Sequence, residues 1–356
     1  MSDPNHARRS AVEISIGGVD VTDDVSEYFL SMSYTDNAED ESDDIQLQLE
    51  DRRGTWRLNW LNKMVQGDAA TKGTKIRVAI KAENWWWDSG ADVKLDCGEF
   101  ALDTINISGP PSLLTIKGVA LPFGSQVRQT KKSKAWEKYT LFAIASEIAA
   151  SNGMKCMYES SANPSYKRAE QSRQSDIAFL AKLCKDAGIS LKATDNTLVL
   201  FDQATYEAKP PIMTIKYGEE NYSKYKFSTG QANVQYASCR VSYTDPASGG
   251  IIEGIVYAED YDDDAQNNQR LEVYAKVSGA TEAKELALKR LRLHNKYEKS
   301  GSFTLVGSPS LVAGVTIELA GWGLFDGKYI VQRAQHSVGN SGYTTQINIR
   351  HILEGY

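Results

Sequence analysis

Apolar and polar residues alternate strictly at both ends of this chain, and the alternation gives way to a different period in the middle. Val12, Ile14 and Ile16 alternate, Gly17-Gly18 supplies a turn, and Val19 and Val21 resume the pattern. A period of two puts every second side chain on one face of a strand, so this stretch predicts a β-hairpin. Ile45, Leu47 and Leu49 repeat the pattern around Gln46 and Gln48. Ile76/Val78/Ile80, Phe100/Leu102, Ile105/Ile107 and Leu114/Ile116 follow, with Pro110-Pro111 marking a turn before the last pair. In the last third, Arg240–Tyr243 and Ile251–Val256 read as strands, and Val315/Ile317/Leu319, Tyr329/Val331 and Ile347/Ile349 alternate again.

The middle carries helical spacing. Leu141, Phe142, Ala145, Ile148 and Ala149 form one stripe, with Gly153 just beyond its end. Ser175 is placed to N-cap a second helix whose stripe is Ile177, Leu180, Cys184 and Ala187 and whose stop is Gly188. A longer helix is expected over about 281–299, capped by Thr281 and striped by Ala283, Leu286, Ala287 and Leu291. Lys289, Arg290, Arg292, Lys296 and Lys299 would suit the negative end of its dipole. The predicted fold class is mainly β with an α+β insert. An antiparallel β-barrel spans 1–124, a small mixed α/β domain spans 125–205, and a second barrel with the embedded helix spans 206–356.

Charge is segregated. The chain of 356 residues has 40 bases and 46 acids, a net charge of −6. The first 50 residues hold 13 acids and two bases, and 253–264 holds six acids and no base. Residues 128–138 hold five bases against one acid, and 284–299 hold six against two. Two readings stand: solvated loops with a dipole-matched helix, or patches that meet across subunit contacts. The mild acidity argues against stable nucleic-acid binding. No run approaches the roughly 20 apolar residues of a membrane helix, so no membrane insertion is expected. The N-terminus MSDPNHARRSAVEISI has no apolar signal-peptide core, which points to folding in a cytoplasm.

Chemical motifs are sparse. Cys97, Cys156, Cys184 and Cys239 have neither metal-knuckle nor redox-pair spacing and are expected to be buried free thiols. Among His6, His294, His336 and His351 no pair has metal spacing, and His336 reads as a hydrogen-bonded structural histidine. Gly321–Lys328 has the wrong glycine spacing for a phosphate loop and is flanked by strands on both sides. Asp262, Asp263 and Asp264 lack the alternation of a calcium loop. No catalytic residue, cofactor or metal is expected. Trp85, Trp86 and Trp87 stand at a hairpin shoulder, where strand geometry sends alternate rings to opposite faces. They are the candidate assembly interface, against the alternative of a small core beneath the loop.

Four stretches together resemble the phage late control protein D family, the central baseplate hub of contractile tails. They are Gly98-Glu-Phe-Ala-Leu-Asp-Thr-Ile with Ser108-Gly-Pro-Pro and Leu114-Thr-Ile-Lys-Gly; Arg128–Trp136 leading into Thr140-Leu141; Gln174–Leu183 with Ala187-Gly188; and Gly307–Gly314 with Phe325–Ile330, His336 and Gly342-Tyr-Thr-Thr. The resemblance implies two tail-tube-like barrels per subunit and a homotrimer forming a pseudo-six-fold ring between a six-fold tube and a three-fold spike. The implied partners are the central spike, a tail tube or tube-initiator protein, baseplate wedge proteins and the tape-measure protein. Assembly in the bacterial cytoplasm into a virion tail or tail-like particle is implied too. The chain stops soon after the last matching strand, so spike and wall-degrading modules are expected on separate chains. Asp43, Asp44, Asp262, Asp263 and Asp264 are the candidate channel-facing acids. A tail-associated cell-wall hydrolase or glycan-binding module is the alternative function.

Overall fold

A computed structural model describes residues 7–39, 42–52, 54, 74–85, 91–120, 127, 130–194, 197–219, 221–230, 236–246, 249–258, 261 and 268–353. The first barrel is built from β1 (Arg9–Ile16), β2 (Val19–Asp20), a single turn α1 (Thr22–Ser26), β3 (Phe29–Asn37), β4 (Asp44–Glu50), β5 (Lys75–Glu83), β6 (Val93–Ser108) and β7 (Leu113–Val119). Gly17 (φ 61°) and Gly18 (φ 82°) make the β1–β2 turn, which needs two left-handed residues. The strand order is β3-β4-β7-β6-β5-β1-β2, all antiparallel. Ile45, Leu47 and Leu49 point inward from β4, as do Ile76, Val78, Ile80 and Ala82 from β5. Each Ile, Leu and Val among them contributes roughly 1.5–3 kcal/mol on burial. The two runs expected at 100–107 are one 16-residue strand, β6, whose pairing with β5 slips at Gly98 (φ 91°), a glycine bulge.

The middle unit follows the helical reading. It contains β8 (Lys131–Thr140), α2 (Leu141–Ser151), β9 (Lys155–Glu159), β10 (Ser165–Ser175), α3 (Asp176–Ala187), β11 (Ser190–Thr194) and β12 (Thr197–Phe201). Thr140 caps α2 and Ser175 caps α3, each side-chain oxygen accepting from the backbone N–H three residues on, and Gly188 ends α3 in the left-handed conformation. Trp136 stacks on Phe179 with centroids 5.1 Å apart, over a core that includes Leu141, Ile144, Leu180 and Leu198.

The second barrel follows the short helix α4 (Gln203–Glu207) and starts with β13 (Thr214–Lys216) and β14 (Tyr222–Thr229). An insertion comes next: β15 (Ser238–Thr244), β16 (Ile251–Tyr257), β17 (Arg270–Tyr274) and the 16-residue helix α5 (Ala280–Asn295). The barrel resumes with β18 (Lys299–Val306), which pairs directly with β14, then β19 (Thr316–Ala320), β20 (Gly327–Gly339) and β21 (Gly342–His351). The embedded helix therefore does not pack into the barrel. It covers a separate three-stranded sheet, β16-β15-β17, with Ala283, Ala287 and Leu291 against Cys239 and Val241. Gly254 permits this approach, because a Cβ there would lie 2.4 Å from the Lys284 backbone nitrogen. Thr281 is not the cap. Gly279 holds that position, and Glu282 instead accepts from the Ser278 backbone N–H at 2.7 Å.

One strand joins the two barrels. The first half of β20 pairs with β19, its second half pairs with β3 from Arg333↔Asn37 to Gly339↔Ser31, and β21 runs along its other side. Both barrels thus share one sheet, ordered β14-β18-β21-β20-β3-β4-β7-β6-β5-β1-β2. The β20–β21 hairpin serves two cores: Val338 and Tyr343 pack into the first, and Val331, Ala334, Ile347 and Ile349 into the second.

Candidate assembly surfaces and the buried polar junction

The two barrel cores are joined by the β20–β21 hairpin, and ion pairs and hydrogen bonds tie the other units to them and to each other. Three acids of the acidic N-terminal segment point into the chain. Asp36 pairs with Lys192 of β11 and accepts from the Ala313 backbone N–H at 2.8 Å. Asp43 accepts from Thr194 Oγ1 at 2.7 Å and from the Asn37 backbone N–H at 2.9 Å, with Lys192 Nζ at 3.5 Å. Glu39 accepts from Ser190 Oγ at 2.8 Å and from Lys296 Nζ at 2.6 Å. Burial raises the Glu39 pKa, but the Lys296 ammonium outweighs it and holds the carboxyl below its usual range. Burial pushes Asp43 up to about 6, with Lys192 opposing and Asp36 adding to the rise.

A second knot lies beside the first. Glu207 of α4 accepts from Arg350 at 2.5 Å and from Arg292 of α5, while Arg350 also donates to Gln203 at 2.8 Å. The basic face of α5 is spent in the same way: Arg290 pairs with Asp186 at 2.8 Å, and Lys289 donates to the Ala187 carbonyl at 2.9 Å. Members of the acidic N-terminal segment and of the basic 284–299 segment therefore close contacts between units of one chain. Neither the solvated reading nor the subunit-contact reading describes these residues.

Asp43 is corrected on this geometry. Its side chain is 2% exposed and occupied by Lys192 and Thr194, so it does not face a channel in the single chain. Asp44 opens β4 with a half-buried side chain. Asp262, Asp263 and Asp264 lie outside the described residues, as do Trp86 and Trp87. Trp85 is 6% exposed and spans the seam between the barrels. Its Nε1 donates to the Gly307 carbonyl at 2.6 Å, its ring lies 5.3 Å from that of Tyr343, and the Arg8 guanidinium sits 5.7 Å above it. The expectation of a partner platform fails for Trp85 because its own second barrel covers it. Gly307 lies 222 positions from Trp85 in sequence, beyond the reach of any local pattern.

His336 is fully buried, with Nδ1 2.7 Å from Tyr343 Oη and Nε2 3.1 Å from the Leu311 carbonyl. Burial pushes its pKa down to about 4, so it is a neutral structural imidazole at the barrel junction. Cys97, Cys184 and Cys239 are buried free thiols and Cys156 is half-buried. Among the described residues no cluster of three or more His, Cys, Asp or Glu is arranged to hold a metal. A cleft of about 390 Å³ is lined by Arg8 and Trp85 together with Tyr222, Leu305 and Tyr343.

Comparison with known proteins adds the family. Residues 122–342 match the family model described as phage tail baseplate hub (GPD). That span holds the stretches beginning at Arg128, Gln174 and Gly307, while the Gly98–Gly118 stretch falls outside it. The chain is 24% identical over 210 residues to the "Probable baseplate hub protein" of Escherichia phage 186, covering 58% of this chain and 49% of that protein. It is 27% identical over 171 residues to the protein of that name from Escherichia phage P2, covering 48% and 39%. The chain thus spans about half or less of these curated relatives. Among solved structures, a tail protein from Neisseria meningitidis MC58 superposes with a TM-score of 0.69 at 13% identity, covering 96% of this chain and 97% of that one. The 43 kDa tail protein of prophage MuSo2 from Shewanella oneidensis gives 0.65 at 14%, with the same coverage. The E. coli c3393 protein, described as a type VI secretion component similar to T4 bacteriophage tail proteins gp27 and gp5, gives 0.56 at 10%, covering 99% and 78%. At these identities the structural likeness is one of fold, and it includes the first barrel that the family model leaves out. Because the family model matches more than half of this chain, the chain belongs to the phage tail baseplate hub (GPD) family.

Proposed function

We propose that this chain is the non-catalytic structural hub of a contractile tail or tail-like particle, three copies closing into a ring that joins the tail tube to a three-fold central spike. The observation that carries the reading is the fusion of two barrels through the β3–β20 pairing. A subunit with two barrel units gives six from three copies, which matches a six-fold tube on one side and a three-fold spike on the other. The terminal strands of the shared sheet, β14 and β2, belong to different barrels. A head-to-tail contact between unlike edges closes a ring when the rotation is a simple fraction of a turn. The spike, a tube or tube-initiator protein, wedge proteins and a tape-measure protein are the proposed neighbours, met during assembly in the bacterial cytoplasm. Trp86, Trp87, Asp44 and Asp262–Asp264 stay candidates for assembly and channel contacts on sequence grounds.

Deletion of the gene from the particle's own gene cluster tests the reading. The hub reading predicts loss of complete tails, restored by the wild-type chain supplied in trans. Complete tails that assemble without the chain but fail to clear purified peptidoglycan would replace the hub with a wall hydrolase.

A further inference from the structure

Among the described residues, the strands β8 and β10 pair only with each other and form a two-stranded ribbon on the middle unit. In a chain of net charge −6, these two strands carry seven bases and two acids. Some of that charge is used internally: Lys132 pairs with the buried Asp176 at 2.6 Å, and Lys134 pairs with Glu147. Arg168 lies 3.6 Å from Glu137 and 3.5 Å from Glu170 on the exposed face, where such pairs contribute little. Lys131, Lys138, Lys167 and Arg173 are exposed and have no ion pair among the described residues. Lys138 and Lys167 fall between the register pairs Glu137↔Arg168 and Tyr139↔Tyr166 without being a register pair themselves, which puts two cations on neighbouring strands of the ribbon. The backbone is unfavourable. Of three non-glycine residues with positive φ among those described, two are ribbon cations, Lys138 (φ 59°) and Arg173 (φ 47°). Strain of this kind persists where surrounding structure holds it, often at binding sites.

We propose that this ribbon is a docking surface that receives an acidic, extended segment of another polypeptide as an added strand. Among the described residues, each ribbon strand has one hydrogen-bonding edge without a strand partner. A two-stranded ribbon is marginal by itself, and here Trp136, Ala169 and Gln171 are its fully buried anchors. A third strand would satisfy the open edge, and its alternate carboxylates, about 7 Å apart on one face, would neutralise the lysines. Glu137 and Glu170, interleaved with the bases, disfavour a continuous phosphate polymer, which also has no backbone amides to match a strand edge.

The test uses the full-length chain and a fluorescein-labelled ten-residue peptide alternating Glu and Thr, read by anisotropy. Wild type is expected to bind it, and the affinity to fall with added salt. Lys138→Glu/Lys167→Glu should weaken binding at least tenfold with an unchanged melting temperature. If that pair fails to fold, Lys131→Glu/Arg173→Glu serves in its place. The same peptide N-methylated at alternate residues should bind at least tenfold more weakly than the unmodified one. Absence of wild-type binding, equal binding by the charge variant, or equal binding of the N-methylated peptide overturns the proposal. Tighter binding of a 20-base-pair DNA duplex than of the peptide overturns it in favour of a phosphate-polymer site.

Discussion

Glu207→Gln removes a charge that two arginines share inside the protein. The Glu207 side chain is 4% exposed, that of Arg350 2% and that of Arg292 15%. In the variant, Arg350 keeps hydrogen bonds to Gln203 at 2.8 Å and the His351 carbonyl at 3.2 Å, and its guanidinium loses its contacting carboxylate, with Glu39 remaining only as a longer-range partner. Breaking a buried pair from one side typically costs about 3–5 kcal/mol, because the surviving charge stays desolvated. At roughly 2–4 °C per kcal/mol for units of this size, the second barrel should melt on the order of 10 °C lower by scanning calorimetry. Removing both charges with Glu207→Leu/Arg350→Leu should recover much of that loss, since an apolar pair leaves no orphan charge. A loss below about 1 kcal/mol for Glu207→Gln, or a double variant worse than the single one, would refute the claim that this knot holds α4, α5 and the second barrel together.

Three further outcomes follow from the geometry. Gly307→Ala would place a Cβ 2.2 Å from the Tyr343 ring, so it should cost about 1–3 kcal/mol and loosen the seam, read as faster proteolysis there and a Trp85 emission shift. His336 and Asp43 pull stability in opposite directions with pH. The histidine, lowered to about 4, binds fewer protons folded than unfolded between pH 4 and 6.5, so its contribution falls as pH drops. Asp43, raised to about 6, binds more protons folded than unfolded, so its contribution is full below about pH 4 and is lost as pH rises through 6. Each is worth on the order of 3 kcal/mol, so the two slopes oppose each other across this window. Asp43→Asn should make stability fall more steeply with falling pH than in wild type, and an unchanged profile in that variant would contradict the assignment. Finally, burial pushes the thiols of Cys97 and Cys184 up to about 12, so both should resist a thiol reagent at pH 8 until denaturant is added.

The strands and helices with clean periodicity were legible in the sequence: β1, β4, β5, β7, α2 and α3 fall where alternation, caps and stops put them. The strands that escaped notice mix polar residues onto both faces. β3 reads FLSMSYTDN, the ribbon strand β8 reads KKSKAWEKYT, and β14 has six exposed positions of eight. Periodicity also does not say which sheet a strand joins. The insertion β15–α5 was therefore assigned to the barrel, although β14 and β18 close over the gap it leaves. The acids of the N-terminal segment looked like a surface because their counter-charges lie far off in sequence. Lys192 is about 150 positions from Asp36 and Asp43, and Lys296 about 250 from Glu39. Trp85 misled for the same reason: a tryptophan at a hairpin shoulder looks exposed until the fold brings a second barrel over it.

Three-dimensional reconstruction of the assembled particle by electron cryomicroscopy, without imposed six-fold symmetry, measures the central claim directly. The hub account predicts three copies in one ring at the baseplate end of the tube, with the two barrels of each copy alternating around the axis as six quasi-equivalent units above a three-fold spike. Six copies in that ring, repeats along the tube, or density for this chain only at the particle periphery would contradict it.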